Sequence, residues 1–144
     1  MATTNDGIKF FIDLAKTQTI LNNRFDRGLG GLGFNEFLIL YHLNEADDKT
    51  LRRVDLASKV GMTASGVTRL LLPMEKVHLI KSGPQAEDAR VRSVILAAGG
   101  KTRLEEATTR LEELCEDIFS EEQLKKLNGF SDLLVEIGGK SLMV

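Results

Sequence analysis

The chain of 144 residues has one cysteine, two prolines, two histidines and no tryptophan. Cys115 cannot form an internal disulfide, which removes the stapled secreted scaffolds and points towards a reducing compartment. With few prolines, no low-complexity tract and 42% hydrophobic residues, the composition argues against a disordered chain, and one globular domain, or one core with helical appendages, is expected. No apolar run approaches the roughly 20 residues that cross a bilayer, so no membrane partner is expected. Asp6, Lys9, Asp13, Lys16 and Arg24 interrupt the opening stretch where a secretory signal keeps an apolar centre. The expected location is cytoplasmic.

Reactive chemistry is equally sparse. Cys115 falls on an apolar helix face, where a cysteine is ordinarily a small buried hydrophobe. His42 and His78 lie far apart and outside any metal-ligand spacing, and His42 reads as a packed or hydrogen-bonded imidazole at a core edge. Glu112 and Glu113 are adjacent on a helix, point in different directions and read as a solvated face. Four glycines in residues 28–33 lack the Lys-Ser/Thr and the preceding strand of a phosphate loop, so they predict a helix-to-helix connector. No catalytic activity, metal or cofactor is expected.

What the chain does have is charge sorted by position. Between Lys49 and Arg103 stand eleven basic and four acidic residues, a local +7 within a chain of net charge −2, so the ends together carry −9. A basic middle between acidic ends fits one surface that meets phosphate and others that do not.

The apolar periodicity places the elements. In residues 7–25, Ile8, Phe11, Ile12, Ala15 and Thr19 follow the spacing of an amphipathic helix, with a stripe narrow enough to predict packing along a partner. Residues 35–44 carry Phe37, Leu38, Leu40, Tyr41 and Leu43 on nearly every side, which predicts a buried helix. Ala46-Asp47-Asp48-Lys49 is a turn, and residues 50–53 are either a small edge strand or the lead-in to the next helix.

Residues 54–60 supply two helical turns with Val54, Leu56, Ala57 and Val60 inward. Gly61 sits where a left-handed cap is wanted, and Thr63 is placed to cap a second helix. On that helix Val67, Leu70, Leu71 and Met74 form the inward stripe, leaving Ala64, Ser65, Thr68, Arg69 and Leu72 outward. A short helix, a glycine turn and a capped second helix in this order make a helix-turn-helix reader. Its small outward residues admit it to a groove, and Arg69 can reach a base edge or a phosphate. Pro73 should remove a hydrogen bond and bend the helix, dividing a reading half, 64–72, from a packing half, 74–79. Ile80-Lys81-Ser82 starts a strand and residues 92–96 return as its antiparallel partner. Residues 83–91 are too many for a tight hairpin turn; with Asp88, Arg90 and, at the edge, Arg92, they form a polar wing of basic character.

The last third predicts two helices. Leu104, Ala107, Leu111, Leu114, Cys115 and Ile118 share one face and acids the other. Ser120-Glu121-Glu122-Gln123 is a capping box opening a final helix that Gly138-Gly139 should end. These stripes, with the thin one at the N-terminus, suggest intermolecular packing.

The residues together resemble the MarR (multiple-antibiotic-resistance regulator) family of winged helix-turn-helix transcriptional regulators. The match lies in Leu56-Ala57 and Val60, in Val67-Thr68-Arg69-Leu70, in Leu79-Ile80, and from Asp88-Ala89-Arg90 through Leu96 to Gly100. Two positions depart from the family pattern: His78 replaces the glycine after the recognition helix, and Ala97 replaces the threonine that caps the long fifth helix. Nor does the chain have the N-terminal cysteine of the oxidation-sensing members.

The resemblance implies a mainly α fold with a small β-wing: a winged helix-turn-helix lobe plus a helical dimerisation lobe built from the N- and C-terminal helices. The expected division is 1–33 (helix and connector, dimerisation), 34–98 (DNA-binding lobe) and 99–144 (dimerisation helices). The expected partners are double-stranded DNA, a second copy of the chain, and a small lipophilic or phenolic effector. The expected DNA contacts are Thr63, Ser65, Thr68, Arg69, Lys81, Asp88, Arg90 and Arg92, with Arg90 the wing-tip insertion oriented by Asp88. Phe11, Phe37, Tyr41 and Leu111 are the expected lining of the effector pocket. The function so implied is a ligand-responsive repressor binding a pseudo-palindromic operator as a homodimer. The alternative is a winged-helix module for protein contact, which should expose apolar rather than basic residues at the reading surface.

Overall fold

Capping chemistry sets most of the helix starts. In the computed structural model, which describes residues 1–83 and 92–142, the order is α1 (Thr4–Gly28), α2 (Phe34–Glu45), a 3-10 turn (Asp47–Lys49), β1 (Thr50–Arg52), α3 (Arg53–Val60), α4 (Ala64–Lys76), β2 (Ile80–Ser82), β3 (Ser93–Leu96), α5 (Ala98–Ile118) and α6 (Glu121–Leu142). Asp6 reaches back to the Thr3 N–H at 2.7 Å, and Glu36 accepts from the Gly33 N–H at 3.0 Å. Ser120 and Gln123 close the expected capping box, with bonds of 2.9 and 3.2 Å. Each such cap satisfies backbone donors that the first helical turn leaves open.

Met1–Leu111 forms one compact unit and the residues from Glu112 onward a second. The core of the first is built on α2. Ile39, Leu40 and Leu43 are fully buried, together with Leu56 of α3, Val67, Leu71 and Met74 of α4, and Val94 of β3. Each such side chain withdrawn from water contributes about 1.5–3 kcal/mol. The three strands form an antiparallel sheet in the order β1-β3-β2, with Thr50 opposite Ile95 and Ile80 opposite Leu96. Residues 50–52 are thus a strand, the first of the two alternatives open in the sequence.

Several expectations need correction. Tyr41 is 44% exposed, so α2 is buried on most of its surface but not around it. Val54 is 59% exposed, because α3 begins one residue earlier than expected and turns Leu56 and Ala57 inward. Leu70 is half-buried rather than part of the buried stripe. The helix runs continuously through Pro73, which is exposed, and ends at Lys76, so residues 77–79 are not a helical packing half. Gly138 and Gly139 do not end α6, which continues to Leu142. Cys115 is half-buried rather than buried. His42 is half-buried at the edge of α2, and desolvation, then the charge of Lys59, hold its pKa below the usual value. It is a neutral core-edge imidazole at pH 7.

The turn after α4 closes the helix with a cap of its own. Leu79 donates to Met74 O at 3.0 Å and His78 to Glu75 O at 3.1 Å, the paired bonds of a Schellman cap. That cap needs a left-handed residue, and His78 supplies it at φ 63°. Any residue with a Cβ is strained in this conformation by roughly 1–2 kcal/mol. His78→Gly is therefore expected to raise stability by about 1 kcal/mol after the greater freedom of glycine in the unfolded chain is counted. Denaturant unfolding measures this; an unchanged or lower midpoint would mean that the imidazole makes stabilising contacts in the turn.

Candidate nucleic-acid interface

The helix-turn-helix forms as its local chemistry dictates. Gly61 adopts φ 70° and its N–H reaches the carbonyls of Ala57 and Ser58, ending α3 with the left-handed cap that only glycine takes without strain. Thr63 then caps α4, its Oγ1 accepting from the Gly66 N–H at 3.1 Å and lying 3.3 Å from Ser65 Oγ. A hydroxyl cap of this kind stabilises a helix by about 1 kcal/mol. With Val67, Leu71 and Met74 turned inward, α4 leaves Ala64, Ser65, Arg69 and Leu72 exposed, while Thr68 is half-buried.

The cations of this region divide into neutralised and available. Arg52 is held by Asp55 in a two-pronged ion pair of 2.9 and 3.3 Å. The Arg52 hydrogen bond keeps the Asp55 carboxyl below its usual range. Glu75 is also engaged, accepting from the Ser82 N–H at 3.2 Å and its hydroxyl at 2.9 Å, which ties α4 to β2. These two acids are therefore committed locally. Among the described residues no carboxylate lies within ion-pair distance of Arg69, Lys81 or Arg92, and all three are exposed. Exposed cations without an acid partner attract phosphate more strongly than paired ones.

Of the eight expected contacts, Thr63, Ser65, Thr68 and Arg69 stand on or at the start of α4, Lys81 on β2, and Arg92 just before β3. Asp88 and Arg90 lie outside the described residues. Thr63 is committed to the cap, so its hydroxyl already holds a backbone N–H. Arg53 went unmarked in the sequence, where it counted only as a charge. It is the first residue of α3, its N–H donates to Arg92 O at 3.0 Å, and its Nη1 lies 3.4 Å from Thr68 Oγ1.

The expected effector pocket is only partly assembled. A hollow of about 710 Å³ opens between α2 and α5, and Phe37, Tyr41, Leu104 and Leu111 supply its apolar lining. Asn44, Glu45, Glu105, Thr108 and Thr109 supply polar groups. Phe11 is not part of it; it stands on α1, 55% exposed, with its ring against Phe10 at 5.7 Å. The helix bearing Phe11 instead borders a separate hollow of about 450 Å³, which includes Leu14, Leu21, Phe25, Phe34 and Leu38.

No family model matches the chain. Over 102 residues, 69% of the chain, it is 29% identical to the HTH-type transcriptional repressor YetL of Bacillus subtilis, and the match spans 61% of that repressor's length. Among solved structures it is similar to Sco5413, a MarR family transcriptional regulator from Streptomyces coelicolor (TM-score 0.81, 16% identity, 94% of this chain and 96% of that one). The transcriptional regulator BldR from Sulfolobus solfataricus superposes with a TM-score of 0.77 at 24% identity, covering 94% and 99% of the two chains. Sco3205, a MarR family regulator from Streptomyces coelicolor solved in complex with DNA, gives 0.76 at 22% identity, covering 94% and 89%. The fold is that of the MarR family regulators, mainly helical with a small antiparallel wing sheet, as the sequence resemblance implied.

Proposed function

We propose that the chain is a MarR-type transcriptional regulator, a repressor that binds a pseudo-palindromic DNA site as a homodimer. The observation that carries this is the capped α4 with an exposed Arg69 that no acid pairs among the described residues, together with the likewise exposed Lys81 and Arg92, in a chain that is otherwise acidic. The similarity to the repressor YetL supports regulation by repression, and the DNA complex of Sco3205 supports DNA as the partner of this fold. In this reading Ser65, Thr68 and Arg69 meet a major groove, Lys81 and Arg92 the flanking phosphates, and Arg90, oriented by Asp88 as the resemblance implies, would meet the minor groove.

Apolar surface on α1 and α6 supports a homodimer. On α1, Ile8, Phe11, Ile12 and Ile20 are each more than half exposed. On α6, Leu124, Leu133 and Val135 are exposed, and no described residue of that helix is buried. A second copy is the partner that gives a two-fold reader of a palindrome. Residues 1–33 and 99–144 would then serve dimerisation and 34–98 DNA binding. A small lipophilic or phenolic effector would occupy the hollow of Phe37, Tyr41, Leu104 and Leu111. With Glu45 and Glu105 also lining that space, an uncharged molecule fits better than an anion. The effector would act by binding one spacing of the two readers more tightly than another.

Titration against random duplex DNA at two salt concentrations tests the reading. Affinity should fall steeply as salt rises, because each neutralised phosphate releases counterions. Binding that is absent, or indifferent to salt, would favour a protein-contact module instead.

A further inference from the structure

Arg53 is the one side chain whose Nε is buried without a hydrogen-bond partner among the described residues. Its only polar contact there is the long 3.4 Å bond from Nη1 to Thr68 Oγ1, beyond the usual range of a strong N–H···O bond. A guanidinium is always charged, and a buried, unmatched charged donor bears a desolvation cost that a neutral one does not. The Arg53 side chain thus rests on α4 through one long bond to a neutral hydroxyl, with its Nε unmatched among the described residues.

Its backbone, in contrast, is fixed. Arg53 N–H donates to Arg92 O at 3.0 Å, and Arg52 pairs with Ser93 across β1 and β3. The residue is therefore anchored where the base of the wing, the start of α3 and the outward side of α4 meet. In a helix-turn-helix the first helix crosses the sugar-phosphate backbone while the second enters the groove. An anion arriving there finds a planar fork suited to a phosphate.

We propose that Arg53 is a further DNA contact, which leaves Thr68 on binding and grips a backbone phosphate next to the groove that α4 enters. This rests on the DNA-binding reading above. Leaving Thr68 frees its hydroxyl for the DNA, and the phosphate gives the guanidinium the acceptor it lacks. Arg53 would then contribute affinity without sequence preference, in contrast to Arg69.

The test compares wild type, Arg53→Ala, Arg53→Gln and Arg53→Lys on a duplex selected for wild-type binding and on a random duplex, over a range of salt. Arg53→Ala and Arg53→Gln should bind both duplexes about tenfold more weakly, and the slope of log affinity against log salt should fall by about 1. Arg53→Lys should keep the slope while losing part of the affinity, since an ammonium is a point charge without the fork. Glutamine preserves most of the stem, so it carries the test if alanine lowers the melting temperature. Wild-type slope and affinity in both neutral variants would overturn the phosphate contact while leaving the function intact. A loss confined to one base position, at unchanged slope, would also overturn it, since Arg53 would then be orienting Thr68. Salt-independent or absent binding by the wild type would instead remove the functional reading itself.

Discussion

Gly100→Ala is expected to lower the free energy of unfolding by roughly 3 kcal/mol or more, at the upper end of what overpacking a buried site costs. Gly100 is buried in the first turn of α5, and a Cβ there would overlap the carbonyl oxygen of Leu79 and approach Leu96 Cδ1 to 2.9 Å. A backbone oxygen cannot rotate away as a side chain can. That carbonyl also accepts the Ala97 N–H at 3.1 Å, so displacing it strains the join between α4, β2 and α5. Gly99 faces the same turn, where a Cβ would lie 3.0 Å from His78 O. Gly129 provides the contrast. It stands in α6 with nothing within 4 Å of its would-be Cβ, and Gly129→Ala should raise stability by up to about 1 kcal/mol through helix propensity alone. Urea unfolding of the two variants separates the effects; a Gly100→Ala protein as stable as wild type would mean that α5 can slide away from the turn at little cost.

Arg69→Ala is expected to weaken binding to a selected operator by about 1–3 kcal/mol, roughly fivefold to 150-fold, if the guanidinium forms a two-pronged contact with guanine. The side chain is exposed on α4, whose start is fixed by the Thr63 cap and whose inner side is held by Val67, Leu71 and Met74. Truncation should therefore leave the fold unchanged, so that a loss of binding reports the side chain itself. On random duplex the loss should be smaller, because the base-specific part is not in use there. Competition titrations with both duplexes read the difference. Equal losses on the two would reassign Arg69 to a phosphate.

The parts of the fold legible in the sequence are those decided within a few residues. Gly61 with Thr63, and Ser120 with Gln123, announce their caps because the donor and acceptor are neighbours in the chain. His78 stood out as a departure from the glycine of the resembled family, and its positive φ gives that departure a physical cost. Pro73 and Gly138-Gly139 misled because local propensity is a weak force. Loss of one backbone bond at Pro73 is outweighed by burial of Leu71 and Met74 on either side. In α6 the two glycines each cost about 1 kcal/mol relative to alanine, which the rest of the helix absorbs.

Long-range placement was harder to read. Phe11 has the right chemistry for an apolar pocket, but which helices border the hollow depends on how α1 and α5 lie against α2, and no local pattern encodes that. Val54 followed the helical spacing and still faces out, since a helix of eight residues has too few turns for its stripe to fix its orientation. Arg53 was hidden for another reason. Its unmatched Nε is a property of how it packs beside Thr68 in the folded chain rather than of any motif.

The strand order β1-β3-β2 also bears on how the helix-turn-helix comes into being. The pairing of Thr50 with Ile95 closes a loop that contains both α3 and α4, so the sheet is completed only when segments far apart in the chain meet. Such a closure forfeits chain entropy before its contacts form. Helix α4 is short, and an isolated helix of its length is marginal in water. Its rigidity therefore depends on packing Val67, Leu71 and Met74 into the assembled unit, so the outward side of α4 should take its shape only as the sheet closes.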